Sequence, residues 1–102
     1  MLQQVWQRYQ AYMALPVRGT AAAAQAYRNQ KQWSSALALW DLALKQQPTN
    51  DDYLIGRIKT LADARHDVQA LSEARRLVAK TPGPAHLQTL SYVYLRQGKS
   101  WD

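Results

Sequence analysis

Breakers and small residues recur along this chain at a nearly fixed interval. Pro48 and Pro82 stand 34 residues apart, as do Ala36 and Ala70, and Tyr27, Leu61 and Tyr94 follow one another at 34 and 33. Such an interval means that one supersecondary unit is repeated, and that each unit buries its apolar face only against its neighbours. Strong breaks fall at Pro16 with Gly19, at Pro48-Thr49-Asn50, at Pro82-Gly83-Pro84 and at Gly98. Softer ones fall at Asn29 to Gln32 and at Arg65 to Asp67. The segments between them predict helices over about 2–14, 18–30, 33–46, 51–64, 67–80 and 85–97. Trp33, Ala36, Leu37, Trp40 and Leu44 recur at helical spacing, as do Leu54, Ile58, Leu61 and Ala62. Ala and Leu abound while β-branched residues are scarce, which favours helix over strand. Asn50 or Asp51 can cap the helix after Pro48. Lys45 and Lys80 fall in last turns, where the helix dipole favours positive charge.

Counted from Val17, one unit places Ala24, Ala36 and Ala43 where two helices approach closely, and Tyr27, Trp33 and Trp40 where the groove between them is filled. Pro48 then ends the second helix. This large–small order resembles the tetratricopeptide repeat, a helix–turn–helix unit of the same period. The expected fold is therefore all-α: a tetratricopeptide-like solenoid of antiparallel helix pairs stacked with a right-handed turn. Its expected units are 1–16, the second helix of a preceding repeat; 17–50 and 51–83, two full repeats; and 84–102, the first helix of a truncated repeat. The second unit is the weaker match, since Ala74 stands where an aromatic is usual. The expected core comprises Trp6, Tyr9, Ala23, Tyr27, Trp33, Leu37, Trp40, Leu44, Leu54, Ile58, Leu61, Leu71, Leu77, Leu87, Leu90 and Tyr94. Trp6, Tyr9 and Met13 at one end, and Leu90, Tyr94 and Trp101 at the other, read as unfinished faces. They predict a segment of a longer protein that associates weakly with itself.

A narrower likeness lies in the order of short strings: Leu15-Pro16-Val17-Arg18-Gly19, Ala26-Tyr27-Arg28-Asn29, Gln32-Trp33, Leu39-Trp40 and Ala43-Leu44. Pro48, Asn50, Asp52-Tyr53, Gly56, Thr60-Leu61-Ala62-Asp63-Ala64 and His66 follow without a gap. Together they resemble the N-terminal periplasmic repeat region of the outer-membrane exporters of poly-β-1,6-N-acetyl-D-glucosamine, a biofilm polysaccharide. The resemblance covers nearly the whole chain, about Val5 to Gly98. It implies a periplasmic, non-catalytic scaffold that engages the polymer, the polysaccharide deacetylase, or both. It also implies a longer parent protein with a signal peptide, more repeats and an outer-membrane β-barrel, none of which this sequence contains. The same repeats without the likeness to an exporter would suit a cytoplasmic protein–protein adaptor.

The chemistry-bearing residues are sparse. No Cys is present, which excludes a disulfide framework, a thiolate zinc site and a cysteine nucleophile. His66 beside Asp63 and Asp67 suggests an acid–base cluster on one helix face, but the stretch is an expected turn where a solvated His is ordinary. His86, in a first turn, is expected on the surface. Two His without a third ligand do not make a metal site, and no Gly-rich phosphate loop occurs, so no metal or cofactor is expected. The net charge is +6, yet the basic residues are scattered, which argues against nucleic acid; a solvated polar surface is the default reading, and a basic patch facing an acidic partner is the alternative. Tetratricopeptide ligands usually lie along the first helix of each pair. That face is expected to carry Arg18, Gln25, Arg28 and Asn29 from the first unit, Asp52, Lys59 and Asp63 from the second, and Gln88, Tyr92 and Arg96 from the third. Arg28-Asn29 is the foremost candidate, the alternative being that Arg28 pairs with Asp63 and only fixes the repeat geometry. Tyr12, Tyr53 and Tyr92 are expected to be freer than the other aromatics. With Tyr92 the single free aromatic in the groove, N-acetylglucosamine oligomers are expected to bind in the millimolar range at best.

Overall fold

A computed structural model describes residues 17–98, with the side chains of Val17 and Arg18 excluded. It contains five helices: α1 (Val17–Asn29), α2 (Trp33–Gln46), α3 (Asp51–Asp63), α4 (Asp67–Lys80) and α5 (Pro84–Arg96). No strand occurs among the described residues, and the fold is all-α as expected. The expected helix over 2–14 lies outside the described residues, as do Trp6, Tyr9, Tyr12, Met13 and Trp101.

The helix ends follow the local chemistry. Asn50 caps α3, its Oδ1 accepting from the Tyr53 N–H at 3.2 Å, and Asp51 and Asp52 occupy the first turn where the dipole favours them. Pro84 opens α5, where its missing N–H costs nothing. Lys45 and Lys80 close α2 and α4. The turn after each first helix is itself repeated. Lys31, Arg65 and Gly98 adopt positive φ values of 62°, 67° and 70°. In the first two of these turns a backbone N–H reaches five residues back, Gln32 to the Tyr27 carbonyl and His66 to the Leu61 carbonyl, both at 2.9 Å. This is the left-handed helix stop that satisfies orphan carbonyls. Only the third of these positions carries the glycine that the conformation favours.

Each helix packs against the next, and the first helices α1, α3 and α5 also lie side by side, with α3 touching both of the others. Two apolar clusters form. One joins Ala24, Ala36, Leu39 and Trp40, with Tyr27 and Tyr53 packed against them. The other joins Ile58, Leu61, Ala62, Ala70, Ala74, Leu77 and Val93, with Leu54, Leu71 and Leu90 against them. Small residues hold the close approaches: Ala24, Ala36, Ala43, Ala70 and Ala74 have no exposed surface.

Trp40 organises the first cluster. Its Nε1–H donates to Thr60 Oγ1 at 2.9 Å, and the Thr60 hydroxyl donates to the Gly56 carbonyl at 2.8 Å. A Cβ on Gly56 would fall 2.5 Å from Trp40 Cη2 and Cζ2. The glycine is therefore required by the indole rather than by its own backbone. Gly56→Ala should lower stability by about 2 kcal/mol, because overpacking against a fixed ring outweighs the gain of roughly 1 kcal/mol in helix propensity. Gly83→Ala, where an added Cβ meets nothing within 4 Å, is the control and should be near neutral in the same urea titration.

The expected core needs correction along α5. Leu87 is half exposed, whereas Val93 is fully buried together with Thr89 and His86. His86 is not a surface residue: its Nδ1–H donates to the Thr81 carbonyl, and its Nε2 lies 3.3 Å from Asp51 Oδ2. Thr89 donates to the Ala85 carbonyl at 2.8 Å. His86 and Thr89 thus each have a partner, and α5 can bury this polar stripe without orphaning either side chain. Trp33 and Tyr94 are half-buried, and the Tyr94 hydroxyl accepts from Arg75 at 3.1 Å.

Candidate functional site

The side-by-side packing of the first helices brings together residues far apart in sequence. Asp63, in the last turn of α3, stands at the centre with its side chain 5% exposed. Arg28 Nε on α1 donates to its Oδ2 at 2.7 Å. On the other side, Arg96 Nε and the Tyr92 hydroxyl, both on α5, donate to its Oδ1 at 2.8 and 2.5 Å. Arg28 Nη2 also donates to the Tyr92 hydroxyl at 2.9 Å, which closes the ring of contacts. One carboxylate therefore joins α1, α3 and α5.

The cations gather around an aromatic as well. The guanidinium carbons of Arg28 and Arg96 lie 5.6 and 5.7 Å from the Tyr92 ring centre, and Lys59 Nζ lies 5.4 Å from it. At such distances the negative face of the ring attracts cations. Burial alone would raise the Asp63 carboxyl. The hydrogen bonds from Tyr92, Arg28 and Arg96, with the Arg28 charge, outweigh it and hold the group below the ordinary aspartate value. The Asp63 carboxylate in turn holds Arg96 more firmly protonated.

Of the residues expected on this face, the fold brings Arg28, Lys59, Asp63, Tyr92 and Arg96 together. Gln25 borders the cluster: its Oε1 accepts from Arg28 Nη1 at 3.5 Å, and its Nε2 donates to Asn29 Oδ1 at 3.1 Å. Gln88 is exposed one helical turn before Tyr92. Asp52 lies at the opposite end of α3, roughly 16 Å from Asp63 along the helix. The Arg18 side chain lies outside the described residues. Arg28 and Asp63 do pair, as the alternative reading had it, but the pair is one edge of a larger network.

The expectation of freer tyrosines fails here. Tyr92 is not a free aromatic platform, since its hydroxyl is bonded to Asp63 and Arg28 and its ring is flanked by cations. Tyr53 packs its ring 6.2 Å from that of Trp40. His66 is exposed in the turn, as expected of a solvated His there, and forms no acid–base cluster with Asp63 and Asp67. It precedes α4 on the surface, while Asp63 is taken up by the arginines and Asp67 lies 3.7 Å from Arg65.

A second ionic junction escaped the sequence reading. Arg57, on another side of α3, donates to Asp41 of α2 at 2.7 Å and pairs with Glu73 of α4. The only sequence signal is an acid–base–acid series at equal spacing, Asp41, Arg57 and Glu73, and nothing but the folded stack makes that spacing meaningful. Among the described residues, no group of three His, Cys, Asp or Glu side chains could hold a metal ion, and no helix is long and apolar enough to cross a membrane. The arrangement offers a charged surface.

Over 98 residues, 96% of its length, the chain is 44% identical to the poly-beta-1,6-N-acetyl-D-glucosamine export protein of Escherichia coli strain K12. It matches that of Escherichia coli O157:H7 to the same degree. The chain spans 12% of the length of these relatives. No protein-family model and no solved structure matches it.

Proposed function

We propose that this chain is a non-catalytic, periplasmic helical-repeat scaffold of a biofilm polysaccharide exporter. Its first-helix face engages the poly-N-acetylglucosamine chain, its deacetylase, or both. The observation that carries this reading is the 44% identity to the export proteins over 96% of the chain. The site geometry fits a scaffold: Arg28, Asp63 and Arg96 are spent on joining repeats into one stiff surface, and a stiff surface loses little entropy on binding. Weak contacts repeated along a longer array would hold a moving polymer without arresting it.

A segment exchange tests the proposal. The matching segment of the Escherichia coli K12 export protein is replaced by this chain, and secreted polymer is measured in cells lacking their own exporter. The exchanged protein should restore secretion, and deletion of the segment should abolish it while the protein still reaches the outer membrane. Undiminished secretion after deletion would contradict the proposal.

A further inference from the structure

We infer that the Lys59 and Arg96 side of the Tyr92 cluster is a carboxylate-binding site for an acidic segment of a partner protein. The inference rests on the reading of the first-helix face as an interaction surface and narrows its ligand.

The charge balance comes first. Three cations, Arg28, Lys59 and Arg96, surround Tyr92, and among the described residues Asp63 is the one carboxylate bonded within the cluster. The cluster therefore keeps a positive excess. Asp63 also shows which ligand these groups accept, since both its oxygens are taken by guanidinium nitrogens.

The valences left over point outward. Arg28 has a bond from each of its nitrogens, Nε, Nη1 and Nη2. Arg96 meets Asp63 through Nε alone, and its side chain is about half exposed. Its two Nη groups form a planar fork suited to a second carboxylate. Lys59 contacts the Tyr92 ring but no described carboxylate. Contact with the ring holds both cations in place before a ligand arrives, which lowers the ordering cost of binding.

The same features disfavour a sugar at this spot. An N-acetylhexosamine that stacks on Tyr92 must displace cations from around the ring, and a deacetylated unit brings an ammonium into a positive site. An acidic protein segment meets neither obstacle, and complementary charge speeds its encounter.

The test uses this chain and a fluorescent hexaglutamate peptide at low salt, read by anisotropy and by NMR shift mapping. Binding should saturate, with the largest shifts at Lys59, Tyr92 and Arg96. The pair K59Q/R96Q should weaken it about ten-fold, and K45Q/K80Q, which removes the same charge elsewhere, should weaken it less than about two-fold. Circular dichroism confirms that both variants fold. Equal weakening in the two variants, absence of saturable binding, or equal affinity for a DNA duplex of matched charge would overturn the inference. So would saturable binding of acetylated or deacetylated glucosamine oligomers centred on Tyr92. That last result would leave the exporter reading standing, whereas failure of the segment exchange would remove the exporter reading without touching the peptide result.

Discussion

Trp40→Ala will lower the free energy of unfolding by about 3 to 5 kcal/mol, the usual cost of truncating a large buried aromatic. The indole is 5% exposed and packs with Ala24, Ala36 and Leu39. Its far edge rests where Gly56 leaves room, and Tyr53 leans on it from α3. Removing it opens a cavity that alanines on either side are too small to fill. A small domain is stable by only about 5 to 15 kcal/mol, so the loss takes a large share. Trp40→Phe should be milder, because it keeps most of the volume and forgoes chiefly the bond to Thr60, worth about 1 kcal/mol. Urea unfolding followed by circular dichroism checks both. An unchanged midpoint for Trp40→Ala would mean that α1, α2 and α3 do not pack through this ring.

The second large effect falls on Asp63. Asp63→Ala leaves Arg28 and Arg96 facing each other across α3 with no carboxylate between them, and Arg28 is largely buried. Removing one partner from a buried ionic cluster costs about 3 kcal/mol or more. The variant should lose stability chiefly through loosened contacts of α1 and α5 with α3, read as faster amide exchange in those helices. The same cluster sets a pH dependence. The Asp63 carboxyl is held below its unfolded value, so its contribution is fully present above about pH 4 and is lost as pH falls through the lowered native value. Asp63→Asn should remove that part of the acid sensitivity. Wild-type and Asp63→Asn proteins that lose stability in parallel between about pH 4 and pH 2 would show that the carboxylate is not linked to folding.

The helices and their turns were legible because breakers are local signals. Pro48, Pro82 and Gly98 act within a few residues of themselves, and helical spacing around Trp33 to Leu44 needs no knowledge of the rest of the chain. The inward face of α5 was harder to read. Leu87, Leu90, Val93 and Tyr94 offer more than one apolar stripe, and the stripe that is buried includes His86 and Thr89, which look polar until their partners at Thr81 and Ala85 are seen. The Asp63 cluster was legible as a set of residues on first helices, not as a network. Arg28, Asp63 and Tyr92 meet only because three helices about one period apart lie side by side, and that closeness also turned Tyr92 from an open ring into an anchored one. Arg57 was missed for the same reason, since its partners belong to two neighbouring helices and no local pattern marks them.

Everything proposed for the interaction face depends on one carboxylate tying three successive first helices together. An NMR titration of the Asp63 side-chain carboxyl in the intact chain measures this directly. The hydrogen bonds from Tyr92, Arg28 and Arg96 predict an inflection below the ordinary aspartate value of about 3.9, moving upward when Arg28 is replaced by Ala. An inflection at or above that value, unmoved by Arg28→Ala, would contradict the account.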